Sequence, residues 1–492
     1  MTAIPGARHG GRAGTAGTGG ASGAVRPGGT APLTVSRAGE RVHVVHTGSR
    51  PAGWLGELAG RLVPARPNET VVVVGAPSPG GGAEELCRSL ASVLDDCREG
   101  PVRLLVLVMS AGALGEGEQS SPAQLISERW GLDVLAAAGP AFVTSDGCLF
   151  SSGASGASGA SGASGASGAS GGWWHFSRSA DPRQVGSYLP VPRWAAAVRR
   201  VGRQTVAGQV VEPVPAGLAV RPAGPAPVAA HTRPHAVVPE RDRPQLILAS
   251  PDVPIAALAV VTASLPEPVR RVLRLVSLDG RSLLRTGQAL ADLSGGGVSV
   301  AVGSPATIDE TAPDGALACG AAAESHMVDA VGGSWRPLAQ TVLCPPHEDG
   351  RGGRAYVTEW RAPGAAGRGT GPAELALGGH WTAVVTPAGL WIGPSGGEPP
   401  LVAMGRHPSP EGIQVDIAMP REAVDDSLWP GLDRLFGHLE PEVRERAVLH
   451  VEGTPDRRFR ERLHQVAVRH GLRPADPRIH VQRDTHQRRL HA

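Results

Sequence analysis

Near-continuous runs of branched apolar residues, each separated from the next by a helix-length segment, constrain this chain more than any other feature. Thr70–Val74 reads TVVVV and Val102–Val108 reads VRLLVLV. Runs without polar alternation must be covered on both faces, as happens in the centre of a parallel sheet packed between helices. Between them Ala83–Leu94 has the spacing of a helix. Ser121-Pro122-Ala123-Gln124 then offers a capped helix start with proline in the first turn, Gly131 offers its end, and LDVLAA follows as a strand. Alternating strands and helices of this kind predict an α/β protein.

The pattern returns twice. Gln245–Ser250, Val272–Leu278 and the run GVSVAV read as strands, with helices over Pro254–Ser264 and Ser282–Leu293 between them. Near the C-terminus GIQVDIA and AVLHVEG flank a helix carrying Leu428, Trp429, Leu432, Leu435, Phe436 and Leu439. A last helix begins near Thr454-Pro455, places Phe459, Leu463 and Val466 on one face, ends at Gly471 and leads to the strand IHVQ. PVRLLVLV at Pro101 echoes PVRRVLRLV at Pro268 and EVRERAVLHV at Glu442. FVTSDGCLF (Phe142–Phe150) likewise echoes VVTPAGLWI (Val384–Ile392) as a hairpin. Self-similarity of this kind signals a repeated unit. The expected fold is therefore α/β, with repeated small mostly parallel sheets flanked by helices and with appended β-hairpins. Val102, Val269 and Val443 are each expected to begin a central strand.

The segmentation that follows has five parts. Residues 1–32, rich in Gly, Ala, Thr and Arg and without periodicity, form a disordered tail. Residues 33–200 form module 1, residues 201–243 a Pro/Ala-rich linker, residues 244–408 module 2 with β-hairpins, and residues 409–492 module 3. Six Gly-Ala-Ser triplets within residues 151–172 lie between two strand-like runs, CLF and WWHF. They read as an expanded loop inside module 1, because such growth costs only about 1.5 kcal/mol of closure entropy.

Composition excludes several chemistries. The chain has 492 residues and no lysine, so all 47 basic residues are arginine. A phosphate-binding P-loop, pyridoxal phosphate chemistry and Schiff-base catalysis each need a lysine amine, which a permanently protonated guanidinium cannot replace. A net charge of +2 gives no field for nucleic acid or a membrane surface. Five scattered cysteines without a C-x-x-C pair fit a reducing compartment. The N-terminal segment lacks the apolar core of a signal peptide, and no apolar run approaches the ~20 residues that span a bilayer. A cytoplasmic protein is expected.

Few residues suggest a site. Cys319 and His326, in ACGAAAESHMVDAVGG with Glu324 and Asp329, and Cys344 and His347, in LCPPHEDG, could pair thiol with imidazole for nucleophilic catalysis. Their spacing matches no zinc motif, so no metal and no cofactor is expected. Gly80-Gly81-Gly82 precedes a helix but lacks the spacing of a phosphate loop, and Glu84 and Glu85 would repel phosphate there. Ser110, in VMSAG, follows a buried strand but is not followed by the immediate helix of a nucleophile elbow. Trp173-Trp174 read as core residues. His480, His486 and His491 fall in a frayed, Arg-rich tail.

The stretches VRLLVLVMSAG, SPAQLISERWGLDVLAAAGPAFVTSDGCLF and GWWHFSR together resemble an α/β module of large actinobacterial proteins, some allied with toxin or secretion systems. Related modules resemble caspase-like peptidases with a cysteine at the end of the third strand. Here that position reads Val108-Met109-Ser110. The resemblance covers about a quarter of the chain and implies a structural module without the peptidase thiol. The expected function is a non-catalytic interaction or scaffold protein with protein partners. The alternative is a hydrolase using the Cys319, His326, Cys344 and His347 region.

Overall fold

The computed structural model describes residues 32–474, apart from 76–81, 116–118, 145–146, 152–171, 225–232, 251, 306–324, 329–333, 348–352, 363–367, 371–372, 419–425 and 453–454. The first sheet is built from β1 (Leu33–Arg37), β2 (Val42–Thr47), β3 (Glu69–Val74), β4 (Leu104–Val108) and β5 (Asp133–Ala137), connected through α1 (Gly53–Arg61), α2 (Gly82–Glu99) and α3 (Pro122–Trp130). Strands β2 to β5 are parallel and adjacent. A hairpin of β6 (Ala141–Val143) and β7 (Leu149–Ser151) leaves the sheet, which is completed by β8 (Trp173–Ser177) and β9 (Ala180–Gly186). β10 (Tyr188–Leu189) pairs with β7 to form a separate three-stranded sheet.

The alternating side chains of the first sheet divide its core in two. Val72, Val74, Leu105, Leu107 and Val134 pack under α2 and α3. Val71, Val73, Val106 and Val108 face α1 and the three-stranded sheet. Helix α3 starts and stops as its sequence dictates: the Ser121 side chain accepts from the Gln124 N–H at 3.1 Å, and Gly131 closes the helix with φ +68°. The Gly-Ala-Ser tract lies outside the described residues. Its flanks, β7 and β8, belong to the three-stranded and seven-stranded sheets.

After α4 (Ala195–Val201), the second sheet opens with an antiparallel run of β11 (Gln204–Val206), β12 (Gln209–Val214) and β13 (Gly217–Pro222). The linker expected over 201–243 is thus corrected, because Gln204–Pro222 is sheet. Proline misled here. Pro213 lies beyond the reach of β11, which pairs only with Gln209–Val211, so its missing N–H breaks no ladder bond. The core includes Val211, Leu218 and Val220 from this segment, each fully buried.

The second sheet continues through β14 (Gln245–Leu248), α5 (Ile255–Ala263), α6 (Glu267–Arg270), β15 (Arg274–Ser277), α7 (Leu284–Ser294) and β16 (Val298–Ala301). A two-stranded pair, β17 (Met327–Val328) and β18 (Ser334–Trp335), precedes antiparallel β19 (Ala339–Cys344), β20 (Tyr356–Arg361) and β21 (Arg368–Thr370).

The third sheet holds β22 (Glu374–Gly378), β23 (Trp381–Thr386), β24 (Gly389–Pro394), β25 (Ile413–Ala418), β26 (Ala447–Glu452) and β27 (Arg473–Pro474). Its helices are α8 (Leu401–Met404), α9 (Leu428–His438), α10 (Pro441–Glu445) and α11 (Arg457–His470). The boundary expected at residue 408 is therefore corrected. β22 to β24 belong with the third sheet, because β24 pairs in parallel with β25. The strand expected at IHVQ lies outside the described residues.

Both sequence echoes need correction too. Val269 and Val443 lie in the short helices α6 and α10, not in strands. Pro268 and Pro441 stand in the first helical turn, where a missing N–H costs nothing, and the strands begin only at Arg274 and Ala447. The hairpin at Phe142–Phe150 belongs to the three-stranded sheet, whereas that at Val384–Ile392 supplies strands to the third sheet. Among the described residues no helix is long and apolar enough to cross a membrane.

Candidate functional site

Among the described residues the Cys/His set does not converge. Cys319 lies outside the described residues. Cys344 pairs with Val298 at one end of β16, and His326 bridges Ser304 beyond the other end. Six residues of nearly extended chain separate these positions, a distance on the order of 15–20 Å. The Cys344 thiol is fully buried beneath α7, 3.8 Å from the Leu284 carbonyl oxygen, and burial pushes it up to about 11. It is a protonated core thiol, not a nucleophile. His347 lies on the solvent side of α7, where its Nδ1 meets Asp292 Oδ1 at 2.7 Å and its backbone N–H donates to the same oxygen at 2.9 Å. These contacts, the backbone bond foremost, hold the Asp292 carboxyl below its ordinary range. Among the described residues no group of three or more His, Cys, Asp or Glu side chains is placed to hold a metal ion.

Of the glycine and serine candidates, Gly82 and Ser110 have structural parts. Gly80 and Gly81 lie outside the described residues. Gly82 opens α2, where Glu84 pairs with Arg129 from α3. The Ser110 hydroxyl accepts the Ala141 N–H at 3.2 Å, tying the turn after β4 to β6. Eleven residues separate Ser110 from the start of α3, so no sharp elbow forms. Ser110, Met109 and Leu114 line a cavity of about 260 Å³ beside the first turns of α2 and α3. Trp173 is fully buried against the three-stranded sheet, and Trp174 packs on the opposite face with α2 and α3, as core residues. The three tail histidines lie outside the described residues.

Two arrangements were invisible in the sequence. One is a serine–histidine contact: Ser282 Oγ lies 3.0 Å from His407 Nδ1, joining the loop after β15 to the segment between α8 and β25. Burial, reinforced by Arg285, lowers the His407 pKa, so the ring is neutral and able to accept a proton at pH 7.

The other is a cavity of about 480 Å³, within the range of small-ligand sites. Its floor is the amino-terminal half of one face of the first sheet, the half that α1 and the three-stranded sheet leave open. Register sets the floor in rows: Glu69, Leu104 and Asp133 are aligned across β3, β4 and β5. Val71, Val106, Leu135, His175 and Arg183 form the next row across five strands. His175 Nε2 stands 3.6 Å from Asp133 Oδ2, and Glu69 Oε1 accepts the Ala65 N–H at 3.1 Å. These side chains come from positions up to 114 residues apart, so only register could have revealed them.

Comparison with protein families, with curated proteins and with solved structures found no match.

Proposed function

We propose that this chain is a cytoplasmic, non-catalytic interaction protein, a scaffold built from three related α/β units that binds other proteins. A matched pair of hairpins is the observation that carries this reading. Pro215-Ala216-Gly217-Leu218 turns β12 into β13, and Pro387-Ala388-Gly389-Leu390 turns β23 into β24. Gly217 has φ +148° and Gly389 φ +151°, and a Cβ on either would lie 2.1 Å from the carbonyl oxygen of Gln245 or Gln414. Each glutamine pairs with its glycine where the next parallel strand begins. Both turns require glycine for the same two reasons, the backbone angle and the close approach. From there both sheets run strand, helix, short proline-started helix, strand, helix, strand. The first sheet follows the same order from the hairpin of β1 and β2, without the short helix.

The resemblance to a caspase-like module without its thiol belongs to the same proposal. The chain continues as Met109-Ser110 after β4 and as Leu278-Asp279 after β15, with no cysteine at either place. Affinity purification from the source cells, followed by quantitative mass spectrometry, tests the reading. A protein partner recovered in stoichiometric amount is expected. Turnover of a peptide, ester or glycoside by the purified chain would overturn it.

A hydrolase is the second reading, and the contact between Ser282 and His407 favours it more than the placement of His326, Cys344 and His347 does. Among the described residues, however, no side chain orients the far nitrogen of His407, the third role that a nucleophile–base pair needs.

A further inference from the structure

We propose that the 480 Å³ cavity of the first sheet binds a small amphipathic carboxylate, of the size of a medium-chain acyl acid. The site is independent of the scaffold reading. Its floor is apolar where Val71, Leu104, Val106 and Leu135 meet. Its rim is apolar as well: Val63, Val185 and Val191 are 81%, 41% and 51% exposed, and all three line the cavity. Three large apolar side chains held in water around one opening mark a surface that gains from being covered.

Charge at the opening decides which end of a ligand belongs there. Two carboxylates line the floor: Glu69 accepts the Ala65 N–H, and Asp133 lies 3.6 Å from His175 Nε2. Arg103 spends one nitrogen on the Gly100 and Val102 carbonyl oxygens. Arg66 and Arg183 also line the cavity, and neither guanidinium has a side-chain partner among the described residues. Three guanidiniums against two carboxylates leave the lining with a positive excess. A hydrocarbon body over the valine and leucine floor, with its carboxylate accepting from Arg66 or Arg183 at the rim, satisfies both features.

Titration calorimetry of the full chain with decanoate, decanol and decyltrimethylammonium tests this assignment. Decanoate should bind in a 1:1 ratio, and the alcohol and the cation at least about tenfold more weakly. The exposed double variant Arg66→Ala/Arg183→Ala should keep the wild-type melting temperature and weaken decanoate about tenfold, since charge-assisted contacts are lost. Val106→Trp, which fills the floor, should abolish binding. If Val106→Trp does not fold, the double variant alone decides. No decanoate binding up to about 1 mM overturns the proposal. So does equal binding of the three amphiphiles, or a double variant that binds decanoate as the wild type does.

Discussion

Replacing Glu359 by glutamine should destabilise the second sheet more than any surface substitution. Four charges meet on this sheet: Arg274 on β15 pairs with Glu240, Arg243 reaches Glu240 at 3.1 Å and Glu359 at 2.6 Å, and Arg274 lies 3.8 Å from Glu359. Thr341 donates to Glu359 at 2.8 Å. The Arg274 side chain is 4% exposed and that of Glu359 14%, so water cannot replace a lost partner. Burial alone would raise the Glu359 carboxyl, but the hydrogen bond and charge of Arg243, with Thr341 and Arg274, hold it below its ordinary value. Glu359→Gln keeps the volume and leaves two guanidiniums facing one carboxylate. Breaking a buried pair from one side costs 3–5 kcal/mol, and with Arg243 26% exposed the expected loss is about 3 kcal/mol.

Urea unfolding followed by tryptophan fluorescence, with Trp360 adjacent in β20, measures that loss. In a cycle with Arg243→Met, the double variant should lose at least about 1 kcal/mol less than the sum of the single losses. Because the folded carboxyl is depressed, its contribution is complete above the ordinary value of 4.5 and fades as pH falls through the lower folded value. Wild type and variant should therefore converge in acid. A loss under about 1 kcal/mol at neutral pH, strict additivity, or a pH-independent gap would refute the buried-network reasoning.

The remaining expectations concern turns and thiols. Gly389→Ala and Gly217→Ala should each cost at least about 2 kcal/mol, because the new Cβ meets a backbone oxygen in a conformation that disfavours it; thermal unfolding reads the effect, and unchanged melting temperatures would break the structural match between the two hairpins. Cys87 and Cys344, both pushed up to about 11 by burial, should resist iodoacetamide at pH 8 until the chain is unfolded, as peptide mass mapping would show. Raised thiol values stabilise the fold fully below the ordinary 9.0, so the melting temperature should fall as pH rises from there towards 11.

What the sequence discloses and what it hides follow from the range of the forces involved. Val71–Val74 and Leu104–Val108 announce themselves as central strands because an unbroken apolar run has no other place to go. Helix α3 is legible from Ser121, Pro122 and Gly131, since caps act within one turn. Gln204–Pro222 is not, because Pro213, Pro215 and Pro222 interrupt its valines, and the pairing of β11 with β12, β12 with β13 and β13 with β14 is what makes it sheet. The short helices α6 and α10 hide inside apparent strand entries, where one proline decides the start. The repeated Pro-Ala-Gly-Leu was a usable signal for the second and third sheets, more reliable than the Pro-Val-Arg echo. The gathering of Glu69, Asp133, His175 and Arg183 in adjacent rows of the first sheet had no signal at all, because register between distant strands is a tertiary property.

Whether this chain performs covalent chemistry is most directly decided by intact-mass spectrometry after incubating the native protein with a fluorophosphonate and, separately, with iodoacetamide near neutral pH. A non-catalytic scaffold predicts no stoichiometric adduct with the fluorophosphonate and no fast-reacting thiol. One equivalent of adduct on Ser282 that disappears in His407→Ala, or on Cys319 that disappears in His326→Ala, would contradict that account and establish a hydrolase.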